Sequence, residues 1–378
     1  MDLYHLIKQT KVTLVTTCLL GLAMLALPMF VNGEKFHSVI RKFSSFNAAD
    51  SAANLGVTEQ VNGVTSPISG GGTETSFSLP NVGVLSTPTP PIGFNPLSAS
   101  DGELRAYDFP ARPSNLIDLL NWNAAMGSFK ADSAPSQILN YSAQTTSKFN
   151  VYYGNWSGFT AGTVGTTGNR YVAVKADVVV PSHPGTCSTN NGIGIWVGLG
   201  GASSSTGDLA QQGIECGAPL GTGGGFYAFT EILPGNPFLF CAISNWTFAP
   251  GDVVYQNMSV EQSLNRVNFF LEDITTGAAH SCHVDNAPGW NFNGDTADYV
   301  VEAVNFNGGS PTPLAFGNIN FSNSSAQLNS TGLWADFGSQ PTDKFFQGSS
   351  PSVFCFGPST IGPDKLTFNV AWHSATCK

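Results

Sequence analysis

From about Ser147 onward the chain is a succession of short runs in which apolar and polar residues alternate, each ending at a turn-forming residue. Alternation with a period of two is typical of β-strands that bury one face. The predicted strands cover residues 171–180, 194–199, 226–233, 252–260, 266–273, 299–305, 314–321 and 366–372, with a turn at 275–277. Because the sequence shows neither alternating strands and helices nor a repeat of fixed period, it predicts an all-β fold, a sandwich of two antiparallel sheets.

The composition argues against one class of partner. Only 11% of the residues are charged, the net charge is -10, and the 15 lysines and arginines are spread along the chain. No basic stripe is available to neutralise phosphates, so we expect no binding to nucleic acid. A small number of bases limits positive self-repulsion once carboxylates are protonated, which suits a protein that stays soluble in acid.

The N-terminus has the pattern of an export segment. Lys8 and Lys11 precede a charge-free, leucine-rich run over residues 12–33. Residues 1–33 are therefore either a cleaved signal peptide or an uncleaved anchor, since about 20 apolar residues can span a bilayer. Both predict a secreted or extracellular protein, which contacts a membrane only if the segment is retained.

Residues 34–144 look irregular, and the stretch 62–100 is rich in Ser, Thr, Gly and Pro. We interpret this region as a pro-segment or linker that contains a short helix near 115–126. It carries six basic residues between Lys35 and Lys130, whereas the chain from Gln144 onward has 7 basic and 15 acidic residues. Opposite charges would let the segment dock on an acidic cleft as an intramolecular inhibitor; the alternative is a solvated linker. The sandwich domain is predicted to cover residues 145–378.

Six cysteines follow the export segment, namely Cys187, Cys216, Cys241, Cys282, Cys355 and Cys377. An even number in an exported chain predicts up to three disulfides, with fifteen connectivities open. His280, Cys282 and His283 are close in sequence but would not form a metal site, because alternation places His283 on the opposite face of the strand.

Alternation also shows which polar side chains share a face. Trp196 points away from the apolar row of its strand, and Gln211 points away from the row that contains Gln212. Glu215 lies on the same side as Gln211, and Tyr227, Phe229 and Glu231 fall together on another strand. If these strands are neighbours, their common face is a cleft with aromatic walls and convergent polar groups.

Glu302 is an isolated acid in an otherwise apolar strand, between Val301 and Ala303. It is either a solvated surface group or a poorly hydrated carboxyl with a raised pKa, and alternation leaves both interpretations open. The motifs GxSxG, HExxH, GxxxxGK[ST] and Asp-Thr-Gly are all missing. A hydrolytic site in this chain would have to use carboxylates and amides.

A set of motifs follows in order along the predicted domain. They are GNWSG (154–158), ADVVVP (176–181), WVGLGG (196–201), QQGIE (211–215), YAFTEILPG (227–235), PGD (250–252), LEDITTG (271–277), DYVVEAVNF (298–306) and PLAFGNINFSN (313–323). In order and spacing they resemble the glutamic peptidases, or eqolisins. The resemblance implies a concanavalin-like jelly-roll sandwich with the active site on the concave face of one sheet.

The resemblance also implies site residues. Gln211 and Glu302 match the catalytic glutamine and glutamate of the family, and Glu231 matches a supporting glutamate that would contact substrate with Trp196, Tyr227 and Phe229. We therefore expect a monomeric acid endopeptidase that acts on proteins or peptides and needs neither a metal nor an organic cofactor. Glu302 would activate water and Gln211 would stabilise the oxyanion.

The chain departs from the family at three positions. It has Gly200 and Tyr227 where the family usually carries aspartates, and Phe229 where the family carries tryptophan. These changes favour the alternative function, a non-catalytic secreted β-sandwich that binds glycans or peptides through an aromatic cleft. Retention of both Gln211 and Glu302 favours the enzyme.

Overall fold

Two antiparallel sheets, packed face to face, account for most of the described part of this computed structural model. The structure describes residues 59–61, 63–79, 83–130, 139–141, 155–162, 170–182, 187–188, 191–202, 208–217, 225–233, 238–239, 246–287, 292, 294–304, 314–350 and 353–373. The chain divides into two units, 1–39 and 40–378, and every described residue belongs to the second.

The described elements are helices and strands numbered in chain order. They are β1 (Glu59–Val61), β2 (Val64–Pro67), β3 (Thr73–Leu79), β4 (Gly83–Thr89), α1 (Asp101–Ala106), α2 (Leu116–Ser128), β5 (Leu139–Tyr141), β6 (Trp156–Ala161), β7 (Tyr171–Val179), β8 (Gly192–Gly200), β9 (Leu209–Cys216), β10 (Phe226–Leu233), β11 (Phe238–Leu239), β12 (Thr247–Phe248), β13 (Val253–Glu261), β14 (Arg266–Asp273), β15 (Ala278–Asp285), β16 (Ala297–Val304), β17 (Asn318–Leu328), β18 (Trp334–Asp336), β19 (Thr342–Phe345), β20 (Gln347–Ser350), β21 (Val353–Pro358) and β22 (Phe368–Trp372).

The first sheet has the strand order β11-β10-β9-β8-β16-β6-β19, with β12 also paired to β10. The second has the order β2-β3-β4-β15-β14-β13-β7-β17-β22-β21-β20, with β18 also paired to β17. β1 and β5 form a separate pair. The two-sheet antiparallel sandwich predicted from the sequence is confirmed.

The core lies between the two sheets and follows from the alternation. Ile195 and Val197 of β8 pack inward with Val254 and Met258 of β13, and all four are fully buried. Each such side chain contributes roughly 1.5–3 kcal/mol of hydrophobic stabilisation. A hydrogen bond also crosses the core: Gln256 Oε1 accepts from the Val197 backbone N–H at 3.1 Å.

Residues 34–144 are predicted to be irregular, but their described part contains three strands of the second sheet and both helices. The prediction fails because β3 and β4 are rich in hydroxyls that pair across strands, as Ser76 and Ser86 do at 2.9 Å. β4 joins the edge strand β15 of the sandwich. Strands added to an existing sheet need little apolar surface of their own, and here Phe77 and Leu85 supply it.

The two helices pack on the outer face of the second sheet. Trp122 of α2 belongs to a buried cluster that includes Tyr255 and Phe270 of this sheet. A buried ion pair joins Lys175 Nζ to Asp118 Oδ1 at 2.8 Å. The helix predicted near 115–126 is confirmed and is capped by Asn115. These helices do not make the predicted contact between the pro-segment and an acidic cleft. That docking stays a prediction for the part of the segment outside the described ranges.

Four cysteines in the described ranges form disulfides, as expected. Cys187 is bonded to Cys216, and Cys282 and Cys355 are also disulfide-bonded. The predicted export segment lies outside the described residues. Within the described ranges, no helix has the length and apolar character needed to cross a membrane.

Candidate active site

Gln211 and Glu302 lie on the same face of the first sheet, separated by the single strand β8. Gln211 on β9 is opposite Gly198 of β8, and Glu302 on β16 is opposite Gly194. Directly opposed residues of antiparallel strands point to the same side. Trp196 lies between the two glycines on this face, which is the outer face of the sandwich.

Glycines allow the Trp196 indole to lie against the sheet. A Cβ atom on Gly198 would be 2.9 Å from Cζ3 of the indole, and a Cβ on Gly213 would be 2.7 Å from the Trp196 Cβ. Both contacts are closer than real Cβ atoms allow, so a larger residue would displace the ring at Gly198 and the backbone of β8 at Gly213. The indole is fully buried and forms a rigid floor between Gln211 and Glu302.

Two hydrogen bonds and a neighbouring indole hold the Glu302 carboxylate. Asn155 Nδ2 donates to Oε1 at 2.7 Å, and Trp196 Nε1 donates to Oε2 at 3.0 Å. The Trp156 indole, on the neighbouring strand β6 and directly opposite Glu302, also lowers the pKa of Glu302. Charge-assisted bonds of this kind fix the orientation of the carboxylate.

The pKa of Glu302 is raised to about 8. Burial is the largest cause, and the negative charge of Glu231 raises the pKa further. Trp196, Trp156 and Asn155 act in the opposite direction, since they stabilise the anion. Glu302 is therefore the poorly hydrated carboxyl of the two alternatives that the sequence leaves open.

Gln211 is held by Glu231. The two residues are opposite each other on β9 and β10, and Gln211 Nε2 donates to the Glu231 carboxylate. Burial raises the pKa of Glu231 to about 7, against the effect of this bond. The neighbouring Gln212 points into the core and donates to the Phe270 carbonyl at 3.0 Å, so the two glutamines face opposite sides as predicted.

The three aromatic residues predicted to line the substrate site differ in position. Trp196 contacts Glu302 and is fully buried. Phe229 belongs to the same buried cluster as Trp196 and Leu209. Tyr227 is half-buried, on β10 opposite Glu215. Of the three, Tyr227 is the one with an accessible side chain beside the carboxyls.

Three residues of the site were not among the predicted site residues, namely Glu215, Asn155 and Trp156. Asn155 and Trp156 belong to the GNWSG motif, and Glu215 closes the QQGIE motif. The motifs were the available signal, but the contacts depend on how β6 and β9 are placed relative to β16.

Gly200 has a backbone explanation. Its φ is +80°, and a Cβ atom there would be 2.7 Å from the Asp208 carbonyl oxygen. An aspartate is unfavourable in this conformation. The Gln211 amide is held by Glu231 on the neighbouring strand instead.

The described residues contain no group of three or more His, Cys, Asp and Glu side chains arranged to hold a metal ion. The three residues that are close in sequence on β15 point in different directions. Cys282 lies in the core, and His283 lies on the other face with Nδ1 2.6 Å from Asp108 Oδ2.

The sequence model of the Peptidase A4 family matches residues 154–343, about half of the chain. The chain therefore belongs to this family, the glutamic peptidases or eqolisins, and is a glutamic-type peptidase. No curated protein sequence matches the chain.

Solved structures of glutamic peptidases are similar to this chain. Scytalido-glutamic peptidase with a peptide-based transition state analog is 20% identical, with 58% of this chain and 98% of that chain covered and a TM-score of 0.46. Aspergilloglutamic peptidase from Aspergillus niger is 19% identical, with coverages of 48% and 99% and a TM-score of 0.38.

Proposed function

We propose that this peptidase is an acid endopeptidase that hydrolyses peptide bonds with Gln211 and Glu302. One observation carries the proposal: an amide and a carboxyl, distant in sequence, emerge on one face of one sheet on either side of the Trp196 floor. Each is oriented by partners of its own, which is the preorganisation that catalysis requires.

The chemistry assigns a step to each group. In the fraction of the enzyme in which Glu302 is ionised, Glu302 takes a proton from water, and the oxygen of that water attacks the scissile carbonyl carbon. The Gln211 amide has two N–H bonds; one is used by Glu231, and the other donates to the developing oxyanion. Glu302 then returns the proton to the leaving nitrogen as the C–N bond breaks.

Acid conditions favour this mechanism through Glu231. Its pKa of about 7 means that Glu231 is protonated in acid. The part of the raised Glu302 pKa that comes from the Glu231 charge then disappears, while Asn155, Trp196 and Trp156 still stabilise the Glu302 anion. Protonation of Glu231 therefore lowers the pKa of Glu302 and increases the fraction of Glu302 that is ionised at a given pH.

We further propose that the enzyme acts outside the cell on protein or peptide substrates. The leucine-rich run with basic residues ahead of it at 1–33 supports export, and the disulfides suit an oxidising compartment. Membrane attachment would require that the export segment is retained.

The test is hydrolysis of a denatured protein in acid. We expect cleavage that is insensitive to pepstatin and to chelators, that falls at least about a hundredfold in Gln211→Ala, and that is lost in Glu302→Gln. Gln262→Ala, at an exposed position on a short helical turn remote from the site, is the matched control and should match wild type.

Near-normal turnover of Gln211→Ala would contradict the role of the amide. If wild-type protein binds peptides or glycans without cleaving peptides, the non-catalytic alternative replaces the proposal.

A further inference from the structure

Glu215 faces Glu302 across a glycine. Gly194 of β8 is opposite Glu215 on one side and opposite Glu302 on the other. With strands about 4.8 Å apart, the two glutamate backbones stand roughly 10 Å apart, a span that two glutamate side chains can bridge.

The space above Gly194 would accept a methyl group. A Cβ atom there would lie 3.4 Å from Trp196 Cδ1 and 3.8 Å from Val304 Cγ2, both ordinary contacts. This differs from Gly198, where the indole and Leu209 fill the corresponding space. The Nε1 edge of the Trp196 indole is the part of β8 that borders this space, beside the Glu302 oxygen to which it donates.

Glu215 has unused hydrogen-bonding capacity. Its Oε1 is buried, and no hydrogen-bond partner contacts it within the described ranges. The groups that face it are Tyr227, directly opposite on β10, and the carboxyls of Glu231 and Glu302. Among the described residues, no basic side chain forms an ion pair with these carboxyls.

We propose that Glu215 and Glu302 form a carboxyl pair that shares one proton, with Glu215 as the positioning residue that stabilises the Glu302 anion. The inference rests on the proposed function of Glu302. Two close carboxyls do not both ionise readily, so one stays neutral and donates its O–H to the other.

Electrostatics supports the assignment of the proton to Glu215. Burial raises the pKa of Glu215 well above its ordinary value, and the charges of Glu231 and Glu302 raise it further. Trp196, Trp156 and Asn155 favour the Glu302 anion. The shared O–H of Glu215 would be a further donor to this anion.

The pair is tested by carbon-13 NMR titration of the glutamate carboxyls in Glu215→Ala and Glu215→Gln. In the alanine variant the donor is lost, so the pKa of Glu302 should rise by about one unit or more. The acid limb of kcat/KM should move to higher pH by the same amount. The glutamine variant retains an N–H donor, so its acid limb of kcat/KM should lie closer to the wild-type position. The titration step of Glu215 should be missing in this variant.

Gly194→Ala provides a second test that leaves Glu215 in place. The added methyl fits against the indole on the strand that lies between the two glutamates, so it should shift the Glu302 pKa in the same direction as Glu215→Ala. Gly317→Ala, whose Cβ would meet nothing within 4 Å, is the matched control.

The titration requires no turnover, so it separates this inference from the proposed function. If wild type does not cleave peptides, the proposed function fails, and the titration still decides whether the carboxyls are coupled. If wild type cleaves peptides but the Glu302 titration and the acid limb are unchanged in Glu215→Ala and Gly194→Ala, the carboxyl pair is overturned.

Discussion

Trp196 Nε1 donates to Glu302 Oε2 at 3.0 Å, and the same indole separates Glu302 from Gln211. One buried side chain thus both orients the proposed base and sets its separation from the proposed oxyanion donor. An aromatic residue that only packs needs the ring alone. The orientation of Glu302 also needs the indole N–H.

Trp196→Phe tests this distinction. Phenylalanine keeps an aromatic ring but removes the donor, so the Glu302 anion loses stabilisation and its pKa rises. We expect kcat to fall on the order of tenfold, with KM little changed and the acid limb of the pH profile moved upward. Steady-state kinetics from acid to neutral pH provide the measurement. A loss of folding stability with an unchanged pH profile would mean that only packing was affected.

Glu231→Gln tests the origin of the alkaline limb. The Glu231 pKa is raised, so the carboxyl is protonated below about pH 7 and ionises above it. Ionisation places a second charge beside Glu302, and we expect wild-type activity to fall as the pH rises through 7. Glutamine mimics the neutral form and still accepts from Gln211, so the fall should move to higher pH. Glu231→Ala, which lacks the acceptor, should lose activity at every pH; a limb that stays in place in Glu231→Gln would exclude Glu231 as its cause.

Two glycosylation sequons are predicted to be unoccupied in the folded protein. Asn155 and Asn257 each begin an Asn-x-Ser sequon. The Asn155 amide, however, donates to Glu302, and the buried Asn257 amide donates to the Tyr255 hydroxyl at 2.9 Å. A glycan on either nitrogen would remove these bonds. Peptide mapping by mass spectrometry after expression in a glycosylating host should find both asparagines unmodified, and a glycan on either would contradict the packing.

Much of the fold could be predicted because alternation reports which face is buried. β10 and β14 begin and end where the pattern places them, and Gln211 and Gln212 separate onto opposite faces as the apolar row requires. The Asn155–Glu302 bond could not be predicted, because it links positions 147 residues apart through the pairing of β6 with β16. β3 and β4 were missed because hydroxyl pairs and an existing sheet edge replace the apolar pattern.

The buried pair Lys175–Asp118 predicts that α2 is an integral part of the folded domain. Lys175 also lies 4.5 Å from the centroid of the Trp334 ring. Removing one partner leaves a buried charge uncompensated, so Asp118→Ala should cost about 3–5 kcal/mol in the free energy of unfolding. Urea denaturation measures the loss. The double variant Asp118→Leu with Lys175→Met should recover most of it, whereas a small cost in Asp118→Ala would show that the helix is dispensable.

The buried glutamates predict a protein that is most stable in acid. An unfolded glutamate has a pKa near 4.5, whereas folding raises the pKa of Glu302 and Glu272 to about 8 and that of Glu231 to about 7. Between these values the folded state holds protons that the unfolded chain has released. Stability therefore falls as pH rises, by at most about 1.4 kcal/mol per pH unit for each group.

Melting temperatures measured from pH 4 to pH 9 check the direction of this dependence. Glu272→Gln supplies the control, because glutamine keeps an acceptor for the Ser128 hydroxyl that bonds Glu272 but does not titrate. Its melting temperature should depend less steeply on pH than that of wild type. A melting temperature that rises from pH 5 to pH 8 would mean that these carboxyls are ionised in the folded protein. Their raised pKa values would then be contradicted.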